Sequence, residues 1–205
     1  NIPVSPEQQE SFIKRSETRL ESLLKMVNDL LDISRMEMNT YHREIIEIDV
    51  NEIIISILEL FSSEIENKKI DVTKNVDSPL PVIHGDSGEI TRLFTNLISN
   101  AIKYNNEWGK ININIECSGN YLLAEIADTG IGMKDDEVNS LFHEFYRAKN
   151  EFTKNISGTG LGLSIVKRIV DAYSGKLEVF SEYKTGTTFR IFLPINKGNA
   201  QNSWL

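Results

Sequence analysis

The most constraining feature of this sequence is residues 7–38, a long stretch without glycine or proline. Ser5 and Pro6 precede it and suit a helix start, because serine caps open backbone amides and proline is tolerated in the first turn. Within it, apolar residues recur at spacings of four, three and four, at Leu20, Leu24, Val27 and Leu31. This spacing predicts one long helix of a bundle or dimer. The alternative is a helix packed on its own domain.

The remainder of the chain alternates between strand and helix patterns. Strands are predicted at residues 44–50, 70–76, 110–117, 121–127, 176–182 and 187–194, and helices at 51–67, 86–104, 134–146 and 161–173. Two neighbouring pairs of strands are joined by short turns, which indicates hairpins. Helices inserted between hairpins predict an α+β fold, with a mixed, largely antiparallel sheet covered on one face. The predicted organisation is a helical segment at 1–40, a globular domain at 41–195 and a flexible tail at 196–205.

Composition excludes several classes of function. The net charge of -8 argues against a nucleic-acid partner, because nucleic-acid binding needs a basic stripe, although a local phosphate pocket stays possible. Cys117 is the only cysteine, so no internal disulfide or cysteine metal site can form, and a reducing compartment fits. The sequence has no apolar run of membrane-spanning length and no signal peptide. A cytoplasmic location is therefore expected, although the cytoplasmic part of a membrane receptor would look the same.

The predicted helix at 86–104 presents a polar edge. Asn96, Asn100, Lys103 and Tyr104 fall within an arc of about 100°, opposite an apolar face. Side-chain carbonyl oxygens suit Mg²⁺, and lysine suits phosphate. Taken alone, these residues are equally consistent with an ordinary solvated surface.

Two glycine-rich turns follow. Residues 128–133 read DTGIGM after an apolar strand, and the carboxylate of Asp128 could accept a hydrogen bond from the exocyclic amine of adenine. Residues 158–163 read GTGLGL and open a helix, where exposed amides bind anions. In isolation, the first turn is more simply a capped turn and the second a flexible hinge.

Residues 142–147 read FHEFYR and lie between the two turns. Phe142 and Phe145 are predicted to anchor this segment in the core, and Arg147 to reach phosphate. The polar stretch that follows, 147–159, is typical of a mobile lid over a ligand.

In their order and spacing, these segments resemble the N, first glycine, F and second glycine boxes of sensor histidine kinases. The segment that resembles the N box is 96–104, which reads NLISNAIKY. These kinases belong to the gyrase, chaperone, histidine kinase and MutL ATPase superfamily. The resemblance is close over 86–194 and looser over 45–85. It implies a Bergerat-type ATP-binding sandwich of a mixed sheet over three helices. It also implies Mg²⁺-dependent transfer of the ATP γ-phosphate to a histidine, for relay to an aspartate of a response regulator.

The resemblance also implies roles for individual residues. Asn100 is similar to the Mg²⁺ ligand with Asn96 beside it, and Lys103 and Arg147 are similar to phosphate contacts; these make Asn100, Lys103 and Arg147 the candidate catalytic residues. Asp128 is similar to the acceptor of the adenine amine. The other implied nucleotide contacts are Tyr104 at the ribose or adenine, Gly130, Gly132 and Met133 in the first turn, Gly158, Thr159, Gly160, Leu161 and Gly162 in the second, and Thr187, which supports adenine through water.

None of the three histidines fits the family's phosphoacceptor motif, His-Glu/Asp-x-x-x-Pro. They are His42, His84 and His143. Residues 7–38, ending in LLDISRME, resemble the second helix of the dimerisation hairpin. The resemblance therefore implies a longer parent with an upstream histidine helix, which forms a homodimer through the hairpin, meets a response regulator receiver domain and contacts a membrane only through upstream segments. The present chain is expected to bind ATP without phosphorylating itself.

Two other functions stay open. One is an ATP-driven conformational machine of the same superfamily, which needs a glutamate on the asparagine helix to activate water. Glu89 lies about 20° from the centre of the Asn96–Asn100 edge, so helix geometry does not exclude it. The other is a degenerate nucleotide-binding regulatory module without catalysis.

Overall fold

The computed structural model describes residues 5–37, 43–148, 152–153, 156 and 158–195. The predicted tail and His42 lie outside these residues. The predicted long helix is confirmed as α1, Pro6–Glu37. Its predicted start is confirmed too, since the backbone N–H of Gln8 donates to Ser5 Oγ at 3.2 Å and the backbone N–H of Ser5 donates to Gln8 Oε1 at 3.1 Å.

After α1, the described chain forms two sheets and a set of helices. Their bounds are β1 Ile46–Ile48, α2 Val50–Leu60, α3 Ser62–Lys68, β2 Asp71–Val76, β3 Ile83–Gly85, α4 Ser87–Lys103, β4 Lys110–Ser118, β5 Tyr121–Asp128, α5 Asp135–Ser140, α6 Gly162–Ala172, β6 Lys176–Glu182 and β7 Gly186–Pro194. The main sheet has the order β2-β4-β5-β7-β6. Only β2 and β4 run parallel in it. The predicted α+β mixed sheet and both hairpins are therefore confirmed.

One face of the main sheet carries the core. Side chains on β4, β5 and β7 alternate between buried apolar and outward-facing residues, as expected for a sheet covered on one side. Helices α4 and α6 contact this sheet, and α2 packs on α4. The central helix is α4, whose residues Ile90, Leu93, Phe94, Leu97 and Ile98 are fully buried. Each such side chain contributes about 1.5–3 kcal/mol through burial, so α4 is held firmly with its polar edge turned away from the sheet.

Several predicted elements differ from the structure. The predicted helix at 51–67 is two helices, broken at Phe61, and it begins one residue after Asp49, whose carboxylate accepts from the amide of Asn51 at 2.8 Å. The helix predicted at 134–146 is shorter in the structure, where only α5, Asp135–Ser140, is α-helical. Strand β3 was not predicted, since it is three residues long and pairs with the distant β1. Short elements like these depend on non-local pairing that local patterns do not report.

Helix α1 packs against the globular part near its C-terminal end. There Ile33 is buried and joins the hydrophobic core, and Asp29 is buried beside α4. The predicted seam of Leu20, Leu24, Val27 and Leu31, in contrast, is 50–64% exposed. Among the described residues, no helix combines the length and apolar character needed to cross a bilayer.

Candidate functional site

A single cleft brings most of the predicted site residues together. It lies between α4, the ends of β5 and β7, and the segment before α6, and it encloses about 1080 Å³ including its open mouth. The predicted residues that line it are Asn96, Asn100, Lys103, Tyr104, Asp128, Gly132, Met133, Arg147, Gly158, Thr159, Gly160, Gly162 and Thr187.

Two predicted residues, Gly130 and Leu161, have side-chain positions that face away from the cleft. A side chain at Gly130 would meet the carbonyl of Tyr104 at 2.3 Å, so this glycine lets the first turn pack against the end of α4. The side chain of Leu161 is buried in the core. Sequence reasoning also missed part of the lining, namely Ser99, Ile131, Leu141, Tyr146, Ala148, Thr153, Leu163 and Phe189. Ser99, Ile131, Tyr146 and Leu163 lie inside the four recognised segments. Membership of these segments is the sequence signal that could have identified them.

The polar edge of α4 meets the second glycine turn directly. The Asn96 carboxamide donates to the Arg92 carbonyl at 3.1 Å, which turns its oxygen toward α6. A Cβ atom at Gly162 would lie 2.8 Å from that oxygen. Glycine at 162 therefore lets the start of α6 approach the asparagine edge closely.

The last turn of α4 is held by a residue that sequence reasoning missed. Lys68 Nζ donates to the carbonyls of Ile102, Lys103 and Asn105 at 2.9, 2.8 and 3.1 Å. Ile102 and Lys103 belong to the last turn of α4, where carbonyls have no N–H partner four residues further along the helix, so the lysine acts as a C-terminal cap. Burial lowers the pKa of Lys68. Because Lys68 belongs to α3, only the tertiary structure places it there.

Asp128 stands at the end of β5, where the predicted adenine acceptor was expected. Its Oδ1 accepts from the amide of Gly130 at 2.8 Å. Burial raises the pKa of Asp128 to about 6, and hydrogen bonds from the backbone of Gly130 and Thr187 partly oppose that rise. At pH 7 the carboxyl is thus mostly ionised and able to accept a hydrogen bond from an amine.

Ser181 on β6 ties this end of the cleft together, and no motif pointed to it. Its Oγ accepts from the amide of Met133 at 2.9 Å, lies 3.1 Å from the Gly186 carbonyl and lies 2.9 Å from Thr187 Oγ1. Because a serine has one proton, donation to Gly186 makes Thr187 the donor to Ser181. Ser181 therefore joins the first glycine turn to β7.

The other end of the cleft is formed by the second glycine turn and residues before it. Arg147 donates through Nη1 to the Gly158 carbonyl at 3.2 Å and through Nη2 to the Ile156 carbonyl. Arg147 thus lines the cleft but binds the segment that precedes α6. At the turn itself, Thr159 Oγ1 accepts from the Leu161 amide at 3.3 Å and donates to Asp29 Oδ2 at 3.0 Å.

The predicted anchoring of the FHEFYR segment by Phe145 is wrong. Phe145 is 53% exposed and has a positive φ of 61°, which turns its ring to solvent. Its backbone packs instead against Gly160, where a Cβ atom would lie 2.8 Å from the Phe145 carbonyl carbon. Phe142 is half-buried, and Leu141 packs against the core at this point.

Comparison with known proteins agrees with this geometry. Residues 85–197 match the model of the family described as histidine kinase-, DNA gyrase B-, and HSP90-like ATPase. The chain belongs to this ATPase family. It is 30% identical over 184 residues to histidine kinase P4 of Formosa agariphila, a match that covers 88% of this chain and 13% of that protein.

Solved structures show the same relationship. Full-length ShkA in complex with AMPPNP has a TM-score of 0.75 and 27% identity, covering 95% of this chain and 41% of that one. Histidine kinase ThkA in complex with the response regulator TrrA has a TM-score of 0.75 and 25% identity, covering 94% and 53%. The chain therefore spans only part of the length of each of these relatives.

Within this ATPase family, Glu89 was the candidate for activating water. Both of its carboxylate oxygens accept from Arg43 Nε, at 3.0 and 2.9 Å, and Oε2 also accepts from the Tyr173 hydroxyl at 2.8 Å. Glu89 is buried and is not among the residues that line the cleft. It ties α4 to the chain before β1 and to the end of α6, which is a structural role.

Proposed function

We propose that this chain is the ATP-binding catalytic region of a sensor histidine kinase, which transfers the γ-phosphate of ATP to a histidine outside the chain. The observation that carries the proposal is the meeting of four separate segments in one cleft. The polar edge of α4, Asp128 with the first glycine turn, Arg147 and the second glycine turn all line it. Family membership and the histidine kinases among the similar proteins support the same conclusion.

At one end of the cleft, Asp128 would accept a hydrogen bond from the adenine amine. Thr187, held beside it by Ser181, would support the ring, and Gly132 would allow the backbone to approach. Tyr104 and Met133 would pack along the ring and ribose. A carboxylate acceptor selects adenine over guanine, because guanine presents a carbonyl oxygen at the position of the adenine amine.

At the other end, Lys103, Arg147 and the backbone of Gly158, Thr159, Gly160 and Gly162 would hold the phosphates. The carboxamide oxygen of Asn100, with Asn96 adjacent, would be a suitable ligand for Mg²⁺. This cation takes few protein ligands beside phosphate oxygens. When bound, Mg²⁺ neutralises charge on the phosphates. The role of the chain's own residues is to orient the terminal phosphate for in-line attack.

We also propose that residues 1–40 are the second helix of a dimerisation hairpin, followed by the catalytic domain at 41–195. The exposed seam of α1 supports this, because a helix with an exposed apolar stripe is stabilised by packing against other helices. The parent would form a homodimer in the cytoplasm and pass phosphate to a receiver domain. The ThkA complex with a response regulator supports that kind of partner.

A transfer assay tests the proposed function. A separate protein bearing the upstream histidine helix is mixed with this chain and ATP labelled at the γ-phosphate. We expect label on the separate histidine, loss of transfer with Asn100→Ala, and normal transfer with Asn114→Ala. Asn114 is a matched control because it lies on β4, hydrogen-bonded to Glu125 at 3.2 Å and absent from the cleft lining. ATP binding without any transfer would contradict the kinase assignment.

A further inference from the structure

The buried carboxylate of Asp29 connects α1 to both walls of the cleft. Asp29 is only 4% exposed. Its Oδ1 accepts from Arg92 Nη2 at 2.7 Å, and its Oδ2 accepts from Thr159 Oγ1 at 3.0 Å. Arg92 belongs to α4 and Thr159 to the second glycine turn. One carboxylate from the long helix therefore bridges the asparagine wall and the glycine wall.

The contact reaches the predicted phosphate site through Thr159. The same hydroxyl that donates to Asp29 accepts from the backbone N–H of Leu161, which is the N-cap residue of α6. Backbone amides at a helix start are the groups that bind anions. In the docked arrangement, the Leu161 amide is thus engaged by a hydroxyl that a buried carboxylate orients.

A neighbouring acid provides a natural comparison. Asp32 lies one turn farther along α1 and also pairs with Arg92, through Nη1. Arg92 therefore keeps one carboxylate partner if either acid is removed. Of these two acids, Asp29 is the one whose carboxylate accepts a hydrogen bond from Thr159.

We propose that Asp29 is a positioning residue that controls the phosphate end of the cleft from α1. While α1 is docked, Asp29 orients Thr159 so that the Leu161 amide is occupied. When α1 leaves, Thr159 is free to rotate, and the amide becomes available to a phosphate oxygen. Docking of α1 and binding of phosphate-bearing nucleotide therefore oppose each other, and by linkage each weakens the other by the same factor. This inference rests on the proposed nucleotide function of the cleft.

The test compares Asp29→Ala with its matched control, Asp32→Ala, by calorimetric titration with AMPPNP and Mg²⁺ and, separately, with adenosine. We expect Asp29→Ala to bind AMPPNP about fivefold more tightly than the wild type, the change expected for release of one hydrogen bond. The affinity of Asp32→Ala for AMPPNP should stay within about twofold of the wild type, because this variant keeps the bond between Thr159 and Asp29. Adenosine affinity should be equal in all three proteins, because the Thr159 contact acts at the phosphate end only.

The outcomes that would contradict the role of Asp29 differ from the outcome that would contradict the proposed function. Equal AMPPNP affinity in the two variants, or equal tightening for adenosine, would overturn the role of Asp29 while leaving the proposed function intact. Failure of the wild-type chain to bind AMPPNP would overturn the proposed function, and this inference with it. A uniform effect on both ligands is what a merely structural role would give.

If Asp29→Ala does not fold, the reciprocal effect is measured without it. Spin labels are placed on Cys117, which is exposed on β4, and on Ser16→Cys, which is exposed on α1. AMPPNP with Mg²⁺ should broaden or shift the distance distribution between the labels, whereas adenosine should not. The same distribution with both ligands would overturn the inference.

Discussion

The two ends of the cleft that we propose to bind adenine and phosphate, named the adenine end and the phosphate end, are built in different ways. The adenine end is set into the sheet: Asp128 closes β5, Thr187 opens β7, and the two residues are register partners. Ser181 on β6 bonds to both the first glycine turn and β7. The phosphate end is formed by a turn whose bonds lead to Arg147 and, through Thr159, to Asp29 on α1. The end proposed to bind the base is thus held by neighbouring strands of the sheet, whereas the end proposed to bind the phosphates is bonded to α1.

The same contrast appears in the glycines. A Cβ atom at Gly132, where φ is +57°, would lie 1.8 Å from the carbonyl oxygen of Glu182, whereas a Cβ atom at Gly158 would have no neighbour within 4 Å. Packing and backbone conformation both require glycine at position 132, whereas a side chain at position 158 would meet no neighbouring atom. Of these two glycines, Gly132 therefore tolerates substitution less than Gly158.

The largest expected difference between the two ends of the cleft is between the variants Gly132→Ala and Gly158→Ala. Gly132→Ala should lower the free energy of unfolding by about 3 kcal/mol or more, from overpacking and a left-handed backbone. Gly158→Ala should change it by less than about 0.5 kcal/mol. Urea unfolding of both variants measures the difference, and equal losses would show that the two ends are equally rigid.

Asp128→Asn should separate recognition from stability. We expect the affinity for AMPPNP to fall about 100-fold, because the amide presents a donor where the adenine amine needs a charged acceptor. The apo domain should gain about 1–3 kcal/mol at pH 7, since a buried charge is removed and the bond from Gly130 can be kept. Calorimetry and thermal unfolding measure the two effects. Asp77→Asn, at an exposed position, is the control and should change neither.

Ser181→Ala should loosen the adenine end alone. It leaves the Met133 amide without its hydroxyl partner, so we expect a loss of about 1–2 kcal/mol in unfolding free energy and about tenfold weaker binding of both AMPPNP and adenosine. Equal losses for the two ligands would distinguish it from the phosphate-specific effect of Asp29→Ala. Ser118→Ala, exposed at the end of β4, is the control. Unchanged adenosine binding would contradict the role of Ser181.

The pH dependence gives the smallest expected effect. The pKa of Asp128 is raised to about 6 in the fold, from an ordinary value of 3.8. The native state therefore binds more protons than the unfolded state between pH 4 and 6. The contribution of Asp128 to stability is fully present below about pH 4 and is lost as pH rises through 6. Nucleotide affinity should change in the opposite sense and weaken about twofold on lowering the pH from 7 to 6, because the acceptor becomes half protonated. Titrations at several pH values check this, and Asp128→Asn should abolish the dependence.

Much of the fold was predictable because its signals are local. Residues 7–38 carry a helical repeat without breakers, and the two hairpins and α4 have strong periodicity, so their type and position follow from the chain alone. The site residues were found as motifs, and the cleft brings most of them together. The failures are equally physical: β3 pairs with a distant strand, and the exposure of Phe145 follows from a positive φ and close packing against Gly160.

What the sequence determined by itself is the ATPase family, the α+β architecture and the identity of most residues in the cleft, because periodicity and motif spacing are properties of neighbouring residues. Only the tertiary structure decided how those residues are held. Lys68 caps α4, Ser181 joins the first glycine turn to β7, and Glu89 is engaged by Arg43 and Tyr173. Asp29 on α1 is hydrogen-bonded to Thr159 of the second glycine turn. Each of these contacts joins segments far apart in the chain, and such contacts depend on folded geometry that no local pattern records.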